Sequence, residues 1–504
     1  MEALQKQREQ QQGLGKPIIS TLFQGYRFIA VGGRLFYAKN WKTFHDFLDY
    51  YIKTILGGTW GNDELRKSPE ERHPLMNWYE SGTRYMNSFI KEPGKIHSAT
   101  PTGAAAGYLM LAYNLYLVAH NAKLQQVLVE RIKKRDQFFG AFYEAYAAGA
   151  LIKAGFEIEF EDEADTTTSH CELTATFRRT GKKFSMEAKA RGPNKVSIDV
   201  GNQLYAALKK RANHSRIIFI EANVPVQDEQ HTLKALSEVL NSIRSRETKI
   251  TIDGQSAPPA YVVVTNNPHN YSLNDPFRHW AAAEGFKIPD FKVGVGFATL
   301  RDAIKARDNH IEMYEFMKSL AEHDWIPSTF DGEIPEFAID PTIERLRVGE
   351  RYAVPDGRGG ETVAELVDAV VMEDKAVACC IMKGPDGRNF LVENTLSKEE
   401  LAAYRKHPDT FFGVYKAATK KLMDPVELYD WFLNGYRKTP KERLLEFLKG
   451  APNFEALKDL SRDELAEICC EGWTNDLIRS GAFKDAKGIS LPSLIPPNAE
   501  QTPS

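Results

Sequence analysis

F-Y-E-A-Y at 142–146, F-E-I-E-F at 156–160, H-C-E-L-T-A-T-F at 170–177, K-F-S-M-E-A-K-A-R at 183–191 and V-G-N-Q-L-Y at 200–205 are the segments around which the chain is organised. From Cys171 to Phe177 and again from Phe184 to Arg191, apolar and polar residues alternate with period two, the pattern of a strand with one buried face and one working face. Ser185, Glu187, Lys189 and Arg191 then share one face, and Phe184, Met186, Ala188 and Ala190 the other. T-G-K-K at 180–183 predicts a hairpin turn between the two strands, which lets Glu172 on the first meet Glu187 on the second.

Two carboxylates and an ammonium converging on one sheet face suit phosphodiester hydrolysis. The carboxylates can hold a hard divalent cation, the cation neutralises phosphate charge and acidifies water, and the lysine stabilises developing charge. Taken alone, a Glu-x-Lys pair on a strand is more often a solvated polar face. Its setting changes that balance. Before the strands, a helix over about 135–154 carries Glu144 on the apolar face of Gly140, Ala147, Ala148 and Leu151. After them, a helix over about 196–212 carries Gln203 on the face of Val200, Ala206 and Ala207, and R-I-I-F-I-E-A-N-V at 216–224 reads as a buried strand.

The resulting order is helix, three strands, helix, strand. With Glu144, Glu172, Glu187-x-Lys189 and Gln203 in that order, residues 131–265 resemble the PD-(D/E)XK nuclease superfamily, the restriction-endonuclease-like fold. The resemblance implies a metal-dependent nuclease, most naturally an endonuclease acting on DNA, with Mg²⁺ or Mn²⁺ held by Glu172 and Glu187. It also implies catalytic positions for Glu172, Glu187, the signature Lys189, the helix-borne Glu144 and Gln203. One residue departs from the pattern: the first acid of the family is usually Asp, and here it is Glu172, with Asp165 in the D-T-T-T-S run as the rival. That departure sustains an alternative, a catalytically inactive nuclease fold that binds nucleic acid or a protein partner. A third reading is a structural protein on which the Glu-x-Lys strand is surface decoration.

Charge around the segment agrees with an anionic partner. Residues 178–216 hold eleven Lys and Arg against two acids, a local charge of +9. Arg191, Lys195, Lys209, Lys210 and Arg211 are the expected nucleic-acid contacts. The whole chain, at net charge −3, has no general basic coat, so any such contact is local. Five cysteines without C-x-x-C spacing give neither a zinc site nor a disulfide framework, which fits a reducing cytoplasm.

The predicted architecture is α/β, a mixed sheet flanked by helices, with a helical N-terminal region, a small antiparallel β module and a helical C-terminal region. Residues 1–130 hold an N-terminal hairpin and helices, and 131–300 the nuclease-like α/β core. Residues 301–345 are a helix and linker, 346–395 the small β module, 396–490 a helical region and 491–504 a disordered tail. Within the first segment, residues 1–15 read as a frayed leader. Y-R-F-I-A-V-G-G-R-L-F-Y-A at 26–38 reads as a hairpin turning at Gly32-Gly33. The apolar run at 102–120 is interrupted by Asn114 and three tyrosines, so it reads as a buried helix and not a membrane span. F-K-V-G-V-G-F at 291–297 predicts a further strand, and residues 301–323 one amphipathic helix. P-D-G-R recurs at 355–358 and 385–388 between short β runs.

Overall fold

In the computed structural model, the apolar segments 215–221 and 260–266 lie side by side within a central six-stranded sheet. The structure describes residues 2–90, 97, 99–160, 171–191, 199–225, 228–276, 278–292, 297–332, 334, 345–355, 359–414, 419–483 and 489–492. It divides into two units, 1–293 with 311–415, and 294–310 with 416–504.

The first unit opens with helix α1 (Glu2–Gln12) and a three-stranded antiparallel sheet of β1 (Ile19–Phe23), β2 (Tyr26–Val31) and β3 (Arg34–Ala38). The β2-β3 hairpin turns at Gly32 and Gly33, both at positive φ, where a side chain would be strained. Helices α2 (Phe44–Leu56), α3 (Gly58–Leu65), α4 (Pro74–Phe89), α5 (Gly103–Leu117) and α6 (Ala122–Ile132) follow. Thr43 and Asp46 close a capping box on α2. The helix α5 is buried nearly all round, as a helix apolar on every side must be. Among the described residues no helix is long and apolar enough to cross a membrane.

The α/β core comprises α7 (Phe138–Lys153), β4 (Phe156–Phe160), β5 (Leu173–Phe177), β6 (Lys183–Lys189), α8 (Gly201–Leu208), β7 (Ser215–Glu221) and α9 (Glu229–Arg244). A two-residue pair, β8 (Thr251–Ile252) and β9 (Gln255–Ser256), precedes β10 (Ala260–Asn266) and β11 (Trp280–Phe286). The sheet order is β11-β10-β7-β6-β5-β4. Strands β6, β7 and β10 are parallel, while β4, β5 and β11 join antiparallel, so the sheet is mixed. A-Y-V-V-V-T-N in β10 is buried at every position, the signature of a parallel strand covered on both faces.

Parity along the strands assigns the two layers. Phe184, Met186, Ala188, Ile217, Phe219, Tyr261 and Val263 pack into one cluster with α5 and α7. Ile218, Ile220, Val262 and Val264 pack on the other side with Val200, Leu204 and Ala207 of α8 and Val239 and Ile243 of α9. By the same parity Glu187 and Lys189 point to the α8 side. That side is not an open polar face as the alternation suggested. Ser185 and Glu187 are buried, because α8 and the chain after it cover β6; the amides of Asn213 and His214 both donate to Ser185 Oγ, each at 3.2 Å.

Several expectations change. The leader is a docked helix: Gln7 and Gln12 are buried and donate to the carbonyls of Gly332 and Phe330, at 2.6 and 3.4 Å. The single helix over 301–323 is two, α10 (Leu300–Asn309) and α11 (Ile311–Glu322), broken at His310, after Asp308 and Asn309, residues of poor helix propensity. Strand β11 had no sequence signal beyond one tryptophan in W-A-A-A-E-G-F, and it forms because β10 offers it a paired edge. Of the strand expected over 291–297, residues 293–296 lie outside the described residues, and Lys292 makes only an isolated bridge to Glu284. The small β module is a four-stranded antiparallel sheet of β12 (Arg351–Pro355), β13 (Glu361–Met372), β14 (Val377–Lys383) and β15 (Asn389–Thr395).

In the second unit, α10 carries Arg307, paired with Asp430 at 2.5 Å, and the helices Pro425–Tyr436, Lys441–Phe447 and Arg462–Arg479 bury Leu444, Leu465 and Cys469. Of the tail expected from residue 491, Leu491 and Pro492 belong instead to a strand, Ile489–Pro492, paired antiparallel with Thr419–Leu422, and residues 493–504 lie outside the described residues.

Candidate active site

The hairpin of β5 and β6 brings Glu172 beside Glu187. Strand β5 begins one residue after Glu172, and the Glu172 amide donates at 3.1 Å to the carbonyl of Met186, the residue opposite Leu173, so Glu172 lies along β6 one residue out of the strand register. The Glu172 carboxylate folds back on β6, where its Oε2 accepts the Ala188 amide at 3.3 Å.

Glu187 is 1% exposed. Its Oε1 accepts from the Lys189 ammonium and lies 3.7 Å from that of Lys210. Its Oε2 is buried and has no hydrogen-bond partner among the described residues. A buried carboxylate oxygen without a donor costs on the order of 1–3 kcal/mol, more when charged. The site thus holds an unanswered anionic oxygen next to a second carboxylate, which is the chemistry a hard cation fits.

Glu144 reaches this region from α7, in the opposite helix layer. Its two oxygens are gripped by the Arg131 guanidinium in a fork, the Nη2 arm at 2.6 Å from Oε1. Burial raises the Glu144 carboxyl above its ordinary range, Arg131 opposes that, and the neighbouring Glu187 adds to it. Glu172 is pushed well above the carboxylate range, first by burial and then by the charges of Glu144 and Glu187. Burial works against the Lys189 ammonium, but Glu187 first, then Glu172 and Glu144, hold it above its ordinary value. The three carboxylates form one electrostatic unit facing three cations, Arg131, Lys189 and Lys210. Among the described residues no three of His, Cys, Asp and Glu are gathered as a ready-made metal cage.

Gln203 sits on α8, which packs on β6 and β7, and its Oε1 is buried without a partner among the described residues. The expected phosphate contacts divide. Lys209 and Arg211 are exposed at the end of α8, whereas Lys210 turns inward to Glu187. Arg191 is 3% exposed and donates to the Ala222 carbonyl at 3.0 Å, so it braces β6 against β7 instead of presenting a surface cation. Lys195 and the rival acid Asp165 lie outside the described residues.

A further buried acid, Glu221, lies inside an apolar run of the sequence. Glu221, at the end of β7, accepts the amides of Asn267 and Asn223 on Oε1, at 2.6 and 3.1 Å, and Thr265 Oγ1 and Asn267 Nδ2 on Oε2, at 2.8 and 3.0 Å. The Tyr143 hydroxyl of α7 joins through Thr265 at 2.9 Å. Asn223 adopts φ 47, a left-handed conformation Asn tolerates, which turns its amide back onto Glu221. Burial lifts this carboxyl to about 7 against those four donors. The signal was available, since a carboxylate among I-I-F-I and A-N-V must find donors.

Comparison with family profiles, curated proteins and solved structures finds no match for this chain.

Proposed function

We propose that the chain is a metal-dependent nuclease that hydrolyses phosphodiester bonds, most naturally in DNA, with Mg²⁺ or Mn²⁺ as its cation. The observation that carries this reading is the Oε2 of Glu187, buried without a hydrogen-bond partner among the described residues, beside the Glu172 carboxylate. Glu172 and Glu187 would hold the cation, which supplies phosphate neutralisation and lowers the pKa of water. Lys189, held cationic by Glu187, stands where an ammonium can stabilise charge on a phosphate that approaches the same carboxylates. Arg131 keeps the Glu144 carboxylate oriented at the rim of that group. Gln203 offers a buried amide oxygen from the covering helix. Exposed Lys209 and Arg211 would hold the flanking backbone phosphates.

A second reading has its own support. Glu144 paired with Arg131 and Glu187 paired with Lys189 and Lys210, with no assembled cage among the described residues, also describe an ionic network in a nuclease-like fold that has given up catalysis and binds nucleic acid or protein. Incubating the protein with single- and double-stranded DNA and RNA, with Mg²⁺, Mn²⁺ or EDTA, separates the two. Cation-dependent cleavage that EDTA abolishes supports the nuclease, and binding without cleavage under every condition supports the inactive fold.

A further inference from the structure

The N-terminal sheet presents a second chemistry, far in sequence from the carboxylates. Its inner face is core, with Ile29, Val31 and Phe36 buried. On the outer face, register aligns Phe23 with Tyr26 and Phe28 with Tyr37. Phe23 and Tyr37 are 61% and 59% exposed, and Phe28 and Tyr37 stack at a centroid distance of 5.6 Å. Tyr26 meets the edge of Tyr37 at 6.2 Å and carries the Lys39 ammonium 4.8 Å above its ring. The sequence between Lys16 and Lys42 holds five cations and no acid. Lys16, Lys39 and Lys42 of that set are exposed, with Lys39 over the Tyr26 ring on the outer face, whereas Arg27 and Arg34 belong by register to the inner face.

We infer that this outer face is a binding platform for single-stranded nucleic acid, on which bases stack on Phe23, Tyr26 and Tyr37 while the cations meet the backbone. Two features select that ligand. Exposed rings on a flat sheet offer π-faces that only unpaired bases can use, because the bases of a duplex are already stacked on one another. The charge of the segment is wholly basic, which favours a polyanion and opposes pairing of this face with its copy in a second chain. The inference does not rest on the cleavage reading, and its test is run in EDTA so that the two can fail separately.

The test is fluorescence anisotropy with a labelled single-stranded oligonucleotide and its duplex, comparing wild type with Phe23→Ala, Tyr37→Ala and Lys39→Ala. Stacking is worth about 1–3 kcal/mol per base, so each aromatic variant should weaken single-strand binding by roughly tenfold or more and leave duplex binding within about twofold. All three positions are on the surface, and unchanged melting temperatures would confirm that the variants fold. Equal single-strand affinity in wild type and variants overturns the inference, as does a parallel loss for the duplex. A dimer by light scattering that Tyr37→Ala dissociates also overturns it, since the face would then be covered by a second copy.

Discussion

The Lys210 ammonium lies 3.7 Å from Oε1 of Glu187, the same oxygen that Lys189 engages, while Oε2 has no partner among the described residues. A divalent cation binding Glu187 must therefore compete with Lys210 for the charge of that carboxylate. Replacing Lys210 by Met keeps the stem and removes the competitor, so Mg²⁺ or Mn²⁺ affinity should rise severalfold by isothermal titration calorimetry. Unchanged or weakened affinity would mean that Lys210 does not oppose the cation.

The same geometry bears on stability. Because Glu187 is buried and answers two lysines, Glu187→Ala removes the nearest counter-ion of both ammoniums. Breaking a fully buried pair costs about 3–5 kcal/mol; Lys189 and Lys210 keep some water, so roughly 1–3 kcal/mol is expected. Urea unfolding of both variants should show Glu187→Gln less destabilised than Glu187→Ala. Equal stability of Glu187→Ala and wild type would contradict the ion-pair geometry.

Glu221 predicts a pH dependence. Its folded carboxyl titrates at about 7 against 4.5 for the free group, so between those values the folded state binds more protons than the unfolded one. The contribution of this residue is therefore most favourable below about 4.5, declines as pH rises through 4.5 to 7, and is flat above. Melting temperatures of wild type and Glu221→Gln, each measured from pH 5 to 8, test the sign. The wild type should lose more than the variant over that range, and parallel curves would refute it.

Nucleic-acid affinity measured in EDTA should fall steeply with salt, and Lys209→Gln with Arg211→Gln should flatten the slope of log K against log salt by about one to two units. Arg191→Gln should instead lower stability, since its guanidinium holds the Ala222 carbonyl inside the fold. A flattened salt slope in Arg191→Gln with unchanged melting temperature would reverse these roles.

The sheet was legible where side-chain period and burial agree. The existence of β4, β5, β6, β7 and β10 follows from alternation and from apolar runs such as V-V-V, and the adjacency of Glu172 and Glu187 follows from the short turn between β5 and β6. What the sequence hid depends on the layer above. Period two in β6 distinguishes two faces but not whether the polar one meets water, and here α8 and the segment up to His214 cover it. For the same reason Lys210 read as a surface cation, although its side chain turns inward. Arg131 was invisible as the partner of Glu144 because thirteen residues and a helix-helix turn separate them. The glutamines of α1 have no periodic signal, since they dock by donating to backbone carbonyls of 330–332 instead of burying an apolar stripe.

Under the proposed function, Glu187 and Lys189 perform different parts of one metal-dependent cleavage. The most direct measurement is cleavage of labelled DNA in Mg²⁺ or Mn²⁺ by wild type, Glu187→Gln and Lys189→Ala, with cation binding and melting temperature measured on the same samples. Both folded variants should lose cleavage by about 100-fold or more. Glu187→Gln should also lose cation affinity, and Lys189→Ala should keep it. Cleavage by Glu187→Gln at the wild-type rate, or no cation-dependent cleavage by the wild type on any nucleic acid, would contradict that function.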